Sequence, residues 1–273
     1  MMTEKVQGIV LDWAGTTVDY GCMAPVRVFL EIFGTLGIEP TLEEVRAPMG
    51  RLKWDHLKEM LGMPRIGRLF EERMGRPYTD RDVDGMHAEF EPMLLSILPH
   101  FSEPIGSAAQ VVERMRGQGL KIGATTGYND AMMTVVAAGA KAQGYAPDNW
   151  ITPDSVGGRG RPYPYMIFAN MIRLDMGMPR QVVKVGDTAS DMQEARSAGV
   201  WAVGVVEGSS VLGLTLEEKN ALKPEELRER ADLAKRQFIR SGAHHVIDRI
   251  EDLPGLIEVI NARLAQGESP HGE

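Results

Sequence analysis

Val6-Gln7-Gly8-Ile9-Val10-Leu11-Asp12-Trp13-Ala14-Gly15-Thr16-Thr17 is a short apolar run that ends on a carboxylate and a Gly/Thr turn. A run this short, closed by glycine, reads as a strand buried on both faces. A carboxylate at its carboxyl end would project into a crevice, and the N–H groups of the turn can face an anion. Similar runs recur at 120–125, 182–185, 200–206 and, more weakly, 244–247. Helical patterns lie between them at 108–116, 131–142, 165–173, 192–198 and 250–264. Strands alternating with helices predict an α/β fold with a doubly wound, Rossmann-like parallel sheet, whose ligand crevice lies at the carboxyl ends of the strands. The segment 23–99 breaks the alternation, with helical patterns at 26–36, 41–46, 52–61, 66–74 and 81–98 and no convincing strand. We therefore expect an inserted α-helical cap domain at 21–99, with 1–20 and 100–273 forming the core. The charged stretch 217–240 predicts a solvated outer helix.

The 273 residues carry 30 Lys+Arg and 38 Asp+Glu, a formal net charge of −8. With 43% hydrophobic and 25% charged residues, the chain has the material for a core, which excludes disorder and fibrous repeats. The acidic balance and the lack of a Lys/Arg block argue against a nucleic-acid or anionic-membrane partner. No apolar run approaches the roughly 20 residues of a membrane span, and Met1-Met2-Thr3-Glu4-Lys5 has no signal-peptide layout. A single cysteine, Cys22, permits no internal disulfide, which fits a reducing cytoplasm. A soluble cytoplasmic enzyme is expected.

Three further motifs fall at predicted strand ends or in a Gly-rich loop. Gly186-Asp187-Thr188-Ala189-Ser190-Asp191 sets two carboxylates four residues apart at a strand end and helix start, where they can share a hard cation such as Mg²⁺. Thr125-Thr126-Gly127 offers a hydroxyl and N–H groups to a phosphate oxygen. Gly160-Arg161-Pro162 supplies a cation for phosphate, although Arg159 stands close enough to substitute. Each motif alone is compatible with ordinary turns and helix caps. Their order in the chain, each at a sheet end, is what points to chemistry.

That ordered set resembles the haloacid dehalogenase superfamily, whose nucleophilic aspartate would be Asp12 and whose cap is inserted after the first strand. Phosphatases of the superfamily usually carry an acid two positions after the nucleophile; here that position is Ala14. Residues 12–22 (DWAGTTVDYGC), together with Met49-Gly50-Arg51-Leu52-Lys53-Trp54-Asp55-His56, Tyr128 and Gly160-Arg161-Pro162-Tyr163-Pro164, resemble more narrowly the phosphonoacetaldehyde hydrolase (phosphonatase) family. This resemblance runs from the first strand to about residue 240. It implies a small phosphonate substrate, a Mg²⁺ cofactor held by Asp12, the Ala14 carbonyl, Asp187 and Asp191, and a homodimer formed through the cap. The apolar residues of 26–33 could equally be core or a dimer surface.

A phosphonate must leave as carbon, so an electron sink is needed. A lysine imine one carbon away from the C–P bond supplies it. Lys53 is the expected imine former, and Met49, Lys53 and His56, spaced i, i+4, i+7, would share a helix face beginning after Gly50. Burial or a neighbouring cation such as Arg51 would lower the lysine pKa, and His56 would move protons. Thr126 and Arg161 are expected at the phosphoryl group, with Gly50, Met49, Cys22 and Tyr128 lining the substrate pocket. The alternatives are a Mg²⁺-dependent phosphatase or phosphomutase, a haloacid dehalogenase, which has no use for the metal carboxylates, and a silent phosphate-binding relative.

Overall fold

The first strand sits where the order of the sheet reverses. In the computed structural model, which describes residues 4–271, β1 (Gly8–Leu11), β2 (Lys121–Thr125), β3 (Asn149–Ile151), β4 (Val182–Gly186), β5 (Trp201–Val205) and β6 (His245–Ile247) form one sheet in the order β3-β2-β1-β4-β5-β6. Every pairing is parallel. Leu11 lies level with Ala124 on one side and Val185 on the other, so the chain leaves β1, β2 and β4 at nearly the same height. Residues that follow these strands must therefore meet. The strand β3 is absent from the sequence expectation because its three residues, Asn149-Trp150-Ile151, form a half-buried edge with no apolar run.

Between β1 and β2 lie α1 (Met23–Thr35), α2 (Leu42–Arg46), α3 (Lys53–Gly62), α4 (Pro64–Met74) and α5 (Asp80–Ile97), then α6 (Ala108–Gly117). The remaining helices are α7 (Asp130–Ala142), α8 (Tyr165–Leu174), α9 (Ala189–Ala198), α10 (Leu216–Ala221), α11 (Pro224–Arg240) and α12 (Leu253–Ala265). Two expectations change. The helix carrying Lys53 begins at Lys53, with Leu52 as its N-cap, so Met49 belongs to the preceding turn and does not share the helix face. The stretch 217–240 is two helices, because Pro224 starts a new one. It is not wholly solvated either: Ala234 and Phe238 are buried, and a Cβ at Gly204 would lie 2.5 Å from the Phe238 ring.

Alternation along the strands divides the core between the two faces of the sheet. Ile9 and Leu11 point into one apolar cluster, and Val10 into the other. The first cluster runs on without a break through Trp13, Val18 and Cys22 into Phe29, Phe33, Leu57 and Phe90 of the helical block. Val26, Val28, Phe29, Ile32 and Phe33 are all buried there, so the stretch that might have been a dimer surface is internal core. Among the described residues, no helix is long and apolar enough to cross a membrane.

Two segments join block and sheet, and they are tied together. Val18 bridges Pro104, and the Ile105 N–H donates to the Thr17 carbonyl at 2.9 Å. Asp19, at φ 55, turns its carboxylate onto the start of α1 and accepts from the Met23 and Ala24 N–H groups at 2.9 and 3.0 Å. It thus does the capping that Cys22, the formal N-cap, does not do by side chain. Burial pushes the Asp19 carboxyl up from its ordinary 3.8 to about 7, against the pull of those two N–H groups, Arg27 and Lys53. The folded chain then holds a proton that the unfolded chain has released, so stability falls as pH rises between those values. Asp19→Asn removes that dependence. Its melting temperature relative to the parent should therefore be higher at pH 8 than at pH 5, and an equal difference at both would refute the assignment.

Candidate active site

Asp12 follows β1 directly and is 5% exposed, with its N–H held by the Val185 carbonyl of β4 at 2.9 Å. Its Oδ1 accepts from Arg161 Nη2 at 2.7 Å. Asp187 follows β4, and its Oδ2 accepts from the Ser210 N–H and Oγ at 2.9 and 2.7 Å. A Cβ at Gly15, where φ is +85, would overlap Asp187 Oδ2, so only glycine lets the first loop pass this carboxylate. Asp191 sits one turn into α9. It closes a capping box with Thr188, accepting from the Thr188 hydroxyl at 2.5 Å, and its other oxygen lies 3.1 Å from Arg161 and 2.9 Å from Lys184. That capping box is why α9 begins at Ala189, three residues before the expected start.

Oxygens of Asp12, Asp187 and Asp191 all lie within 4.8 Å of one another. Glu194, one turn further along α9, adds a fourth buried carboxylate. Arg161 and Lys184 are the buried cations paired with these four, so the cluster keeps a formal charge of −2 before the Lys53 amine across the cavity is counted. Burial, with Asp12 and Asp191 nearby, pushes the Asp187 carboxyl well up, whereas Arg161 and Lys184 outweigh burial at Asp191 and pull it down. A divalent cation between Asp12 and Asp187 would close the balance, and hard oxygen donors suit it. Ala14 lines the same cavity, and among the described residues its carbonyl accepts no hydrogen bond. The Oδ2 of Asp191 is taken by the Thr188 cap, which leaves Oδ1, ion-paired with Arg161 and Lys184, as the one oxygen it offers to the cluster.

A narrow cavity lies between the sheet ends and the helical block. Asp12, Ala14, Asp187, Thr126, Tyr128 and Arg161 line it from the core, and Cys22, Met49, Gly50 and Lys53 from the hinge and block. Arg161 takes the position that the sequence left open, because Arg159 lies outside, 5.7 Å over the Tyr165 ring. The block is seated closely. A Cβ at Gly50 would lie 2.5 Å from the Thr188 hydroxyl, and one at Gly127 would lie 3.1 Å from the Arg51 carbonyl.

Lys53 is 6% exposed, and its amine lies 5.2 and 5.8 Å from the centres of the Tyr128 and Phe29 rings. Burial drives its pKa down, aided by Arg161 and opposed by nearby acidic groups. Its place at the first position of α3 works in the same direction, since the helix N-terminus repels a cation. Arg51, the cation expected to help, instead pairs with Glu59 at 2.9 Å and is half exposed. His56 lies one turn behind Lys53 and does not line the cavity. Its Nε2 sits 2.8 Å from the Val45 carbonyl, so the proton belongs there and Nδ1 is bare, buried and unpartnered. The ring stacks on Phe29 at 3.8 Å, and burial keeps it neutral by pushing its pKa well down. Met49, Cys22 and Tyr128 are buried at the cavity wall, and Thr126 accepts from the Tyr128 N–H at 3.0 Å.

A family model for haloacid dehalogenase-like hydrolases matches residues 6–199. A phosphonoacetaldehyde hydrolase from Bacillus cytotoxicus is 50% identical over 94% of this chain and 97% of its own. One from Lysinibacillus sphaericus is 49% identical over 96% and 97%. The chain belongs to the phosphonoacetaldehyde hydrolase family of the haloacid dehalogenase-like hydrolases. A crystal structure of a phosphonoacetaldehyde hydrolase-like protein from Oleispira antarctica superposes with a TM-score of 0.95 at 36% identity, covering 98% of this chain and 97% of that one. The family's hydrolase character agrees with a buried carboxylate cluster at the switch point of a parallel sheet.

The carboxylate cluster makes a signed prediction. A divalent cation that binds only the folded chain adds about 2.7 kcal/mol at a hundredfold excess over its Kd. Asp187→Asn removes one repelling carboxylate, so without divalent cation it should melt no lower than the parent. The rise in melting temperature with added Mg²⁺ should disappear in the variant; an unchanged rise would remove Asp187 from the metal site.

Proposed function

We propose that the chain hydrolyses the C–P bond of phosphonoacetaldehyde, releasing acetaldehyde and inorganic phosphate. The observation that carries this is a buried amine of lowered pKa, Lys53, sharing one small cavity with the nucleophile Asp12, where position 14 is alanine. A phosphate ester hydrolase needs a proton donor for its leaving oxygen. A carbon leaving group needs an electron sink.

In this reaction the Lys53 amine condenses with the aldehyde and expels water, giving a protonated imine. An Asp12 oxygen attacks phosphorus in line, and the C–P electron pair moves into the adjacent C–C bond as the iminium nitrogen accepts the displaced pair. The products are an aspartyl phosphate on Asp12 and an enamine on Lys53. One water hydrolyses the acyl phosphate. The enamine carbon takes a proton, and a second water frees acetaldehyde and restores the amine. Arg161 and Thr126 hold the phosphoryl oxygens. His56, expected to move protons, stands behind Lys53 outside the cavity and supports that part of the helix by stacking on Phe29. Mg²⁺, held by Asp12, Asp187 and the Ala14 carbonyl with Asp191 behind, would screen the charge between carboxylate and phosphoryl group. We include in the proposal a cytoplasmic homodimer formed through a cap at 21–99. The free thiol of Cys22 supports the compartment, and the exposed apolar Leu42 and Met74 support the dimer.

Acetaldehyde release from phosphonoacetaldehyde in a coupled dehydrogenase assay tests the reaction. Turnover should require Mg²⁺ and stop on chelation. Lys53→Arg keeps the charge but cannot form the imine at neutral pH, so it should lose at least 10³-fold in kcat, a loss on the scale of deleting a covalent catalyst. Borohydride with substrate should inactivate the parent, with the mass gain on Lys53. Near-normal release by Lys53→Arg would sink the mechanism.

A further inference from the structure

Two buried charged residues beneath the site, Lys184 and Glu194, have no part in the reaction above. Lys184 stands in the middle of β4, a central strand otherwise entirely apolar, and Glu194 on the inner face of α9. Both are fully buried. They meet at the Thr125 hydroxyl, which lies 2.9 Å from Lys184 Nζ, 3.1 Å from Arg161 Nη2 and 3.0 Å from Glu194 Oε2. A hydroxyl has one proton to donate and two lone pairs. Lysine and arginine only donate, so both lone pairs are used and the Thr125 proton must go to Glu194. The same Oε2 accepts from Arg161 Nε at 3.1 Å. Glu194 Oε2 thus takes both the Thr125 hydroxyl and Arg161 Nε, while Glu194 Oε1 is buried without a partner. A half-satisfied buried carboxylate is costly for stability alone.

We infer that Glu194 is a positioning residue for Arg161, fixing the plane of its guanidinium through Nε and the Thr125 hydroxyl. With Nε on Glu194 and Nη2 shared between Asp12 Oδ1 and the Thr125 carbonyl, rotation about the Nε end is blocked. Among the described residues, Nη1 makes no hydrogen bond, which leaves it for a phosphoryl oxygen on the cavity side. Glu194 itself does not line the cavity. Its effect passes through the geometry of Arg161, and a misplacement of about 1 Å at such a group costs about 10²-fold in rate.

The inference rests on the proposed reaction for its kinetic arm, so a second arm does not use that substrate. Glu194→Gln keeps an acceptor oxygen at the same reach and loses the charge. Glu194→Asp keeps the charge and withdraws the oxygen by one methylene. Positioning predicts that Glu194→Gln loses about fivefold in kcat and Glu194→Asp about 10²-fold, both with little change in KM, measured per active site. By calorimetry with Mg²⁺ present, inorganic phosphate should bind about tenfold more weakly to Glu194→Asp and about twofold more weakly to Glu194→Gln. The opposite ranking, or equal losses in both variants, would show charge balance and overturn the proposal; so would two variants that match the parent per active site. If Glu194→Asp does not fold, a measurable loss of up to about tenfold in phosphate affinity for Glu194→Gln sustains it, and a larger loss or none at all overturns it. No acetaldehyde from the parent would refute the proposed reaction, while the phosphate arm would still decide the role of Glu194.

Discussion

The structure turns on four carboxylates brought together out of water, two at the carboxyl ends of adjacent strands and two on α9, the helix that follows β4. The sheet order imposes this. Because β4 lies directly beside β1 in register, Asp12 and Asp187 cannot separate without breaking backbone pairing. Buried like charges are expensive, and the molecule compensates half of them internally with Arg161 and Lys184. The remainder is what makes the place chemically useful. It is a fixed, dry concentration of negative charge that a divalent cation would neutralise, next to the Arg161 guanidinium and the Thr126 hydroxyl.

The helical block contributes a group with the opposite requirement. On the proposed reaction the lysine must spend time neutral, so the burial that lowers its pKa has to outweigh the pull of the acidic groups near it, Asp12 among them. Lys53 obtains this from the Phe29 and Tyr128 rings and from its place at the start of α3. The carboxylate cluster and the amine are thus built on different parts of the chain and meet only across the cavity. Their meeting depends on close seating, and two glycines permit it: Gly50 against Thr188, and Gly127 against the 50–51 backbone. A side chain at either would hold the two halves apart.

Much of this was legible in the sequence. The apolar run before Asp12, the GDxxxD of 186–191 and the helical interval after the first strand led to the parallel sheet, the inserted helices and the carboxylate cluster. The apolar runs marked β1, β2, β4, β5 and, more faintly, β6. What stayed hidden has physical reasons. β3 is an edge of three residues without an apolar pattern. Met49 matched a helical spacing, but Gly50, at φ +87, holds the chain in a turn before Leu52 caps α3. The roles of Arg51 and Arg161 depend on tertiary neighbours, Glu59 for one and Asp12 for the other, that local spacing does not encode. Lys184 and Glu194 did leave a trace: a charge inside a fully buried strand, and an acid one turn beyond Asp191. A charge in a strand covered on both faces has to have a partner, and that rule would have found the pair.

Ala14 shows how one small residue meets two demands at once. It lines the cavity together with Asp12, Asp187 and Lys53. An aspartate there would be the proton donor of an ester hydrolase, but it would also be a fifth carboxylate in a cluster already carrying excess negative charge. It would stand on the same cavity as Lys53, stabilise the ammonium form and raise the amine pKa that burial lowers. A lysine kept protonated cannot attack a carbonyl. On the proposed reaction an aspartate at position 14 would work against the neutral amine that Lys53 needs, and alanine there removes that pull.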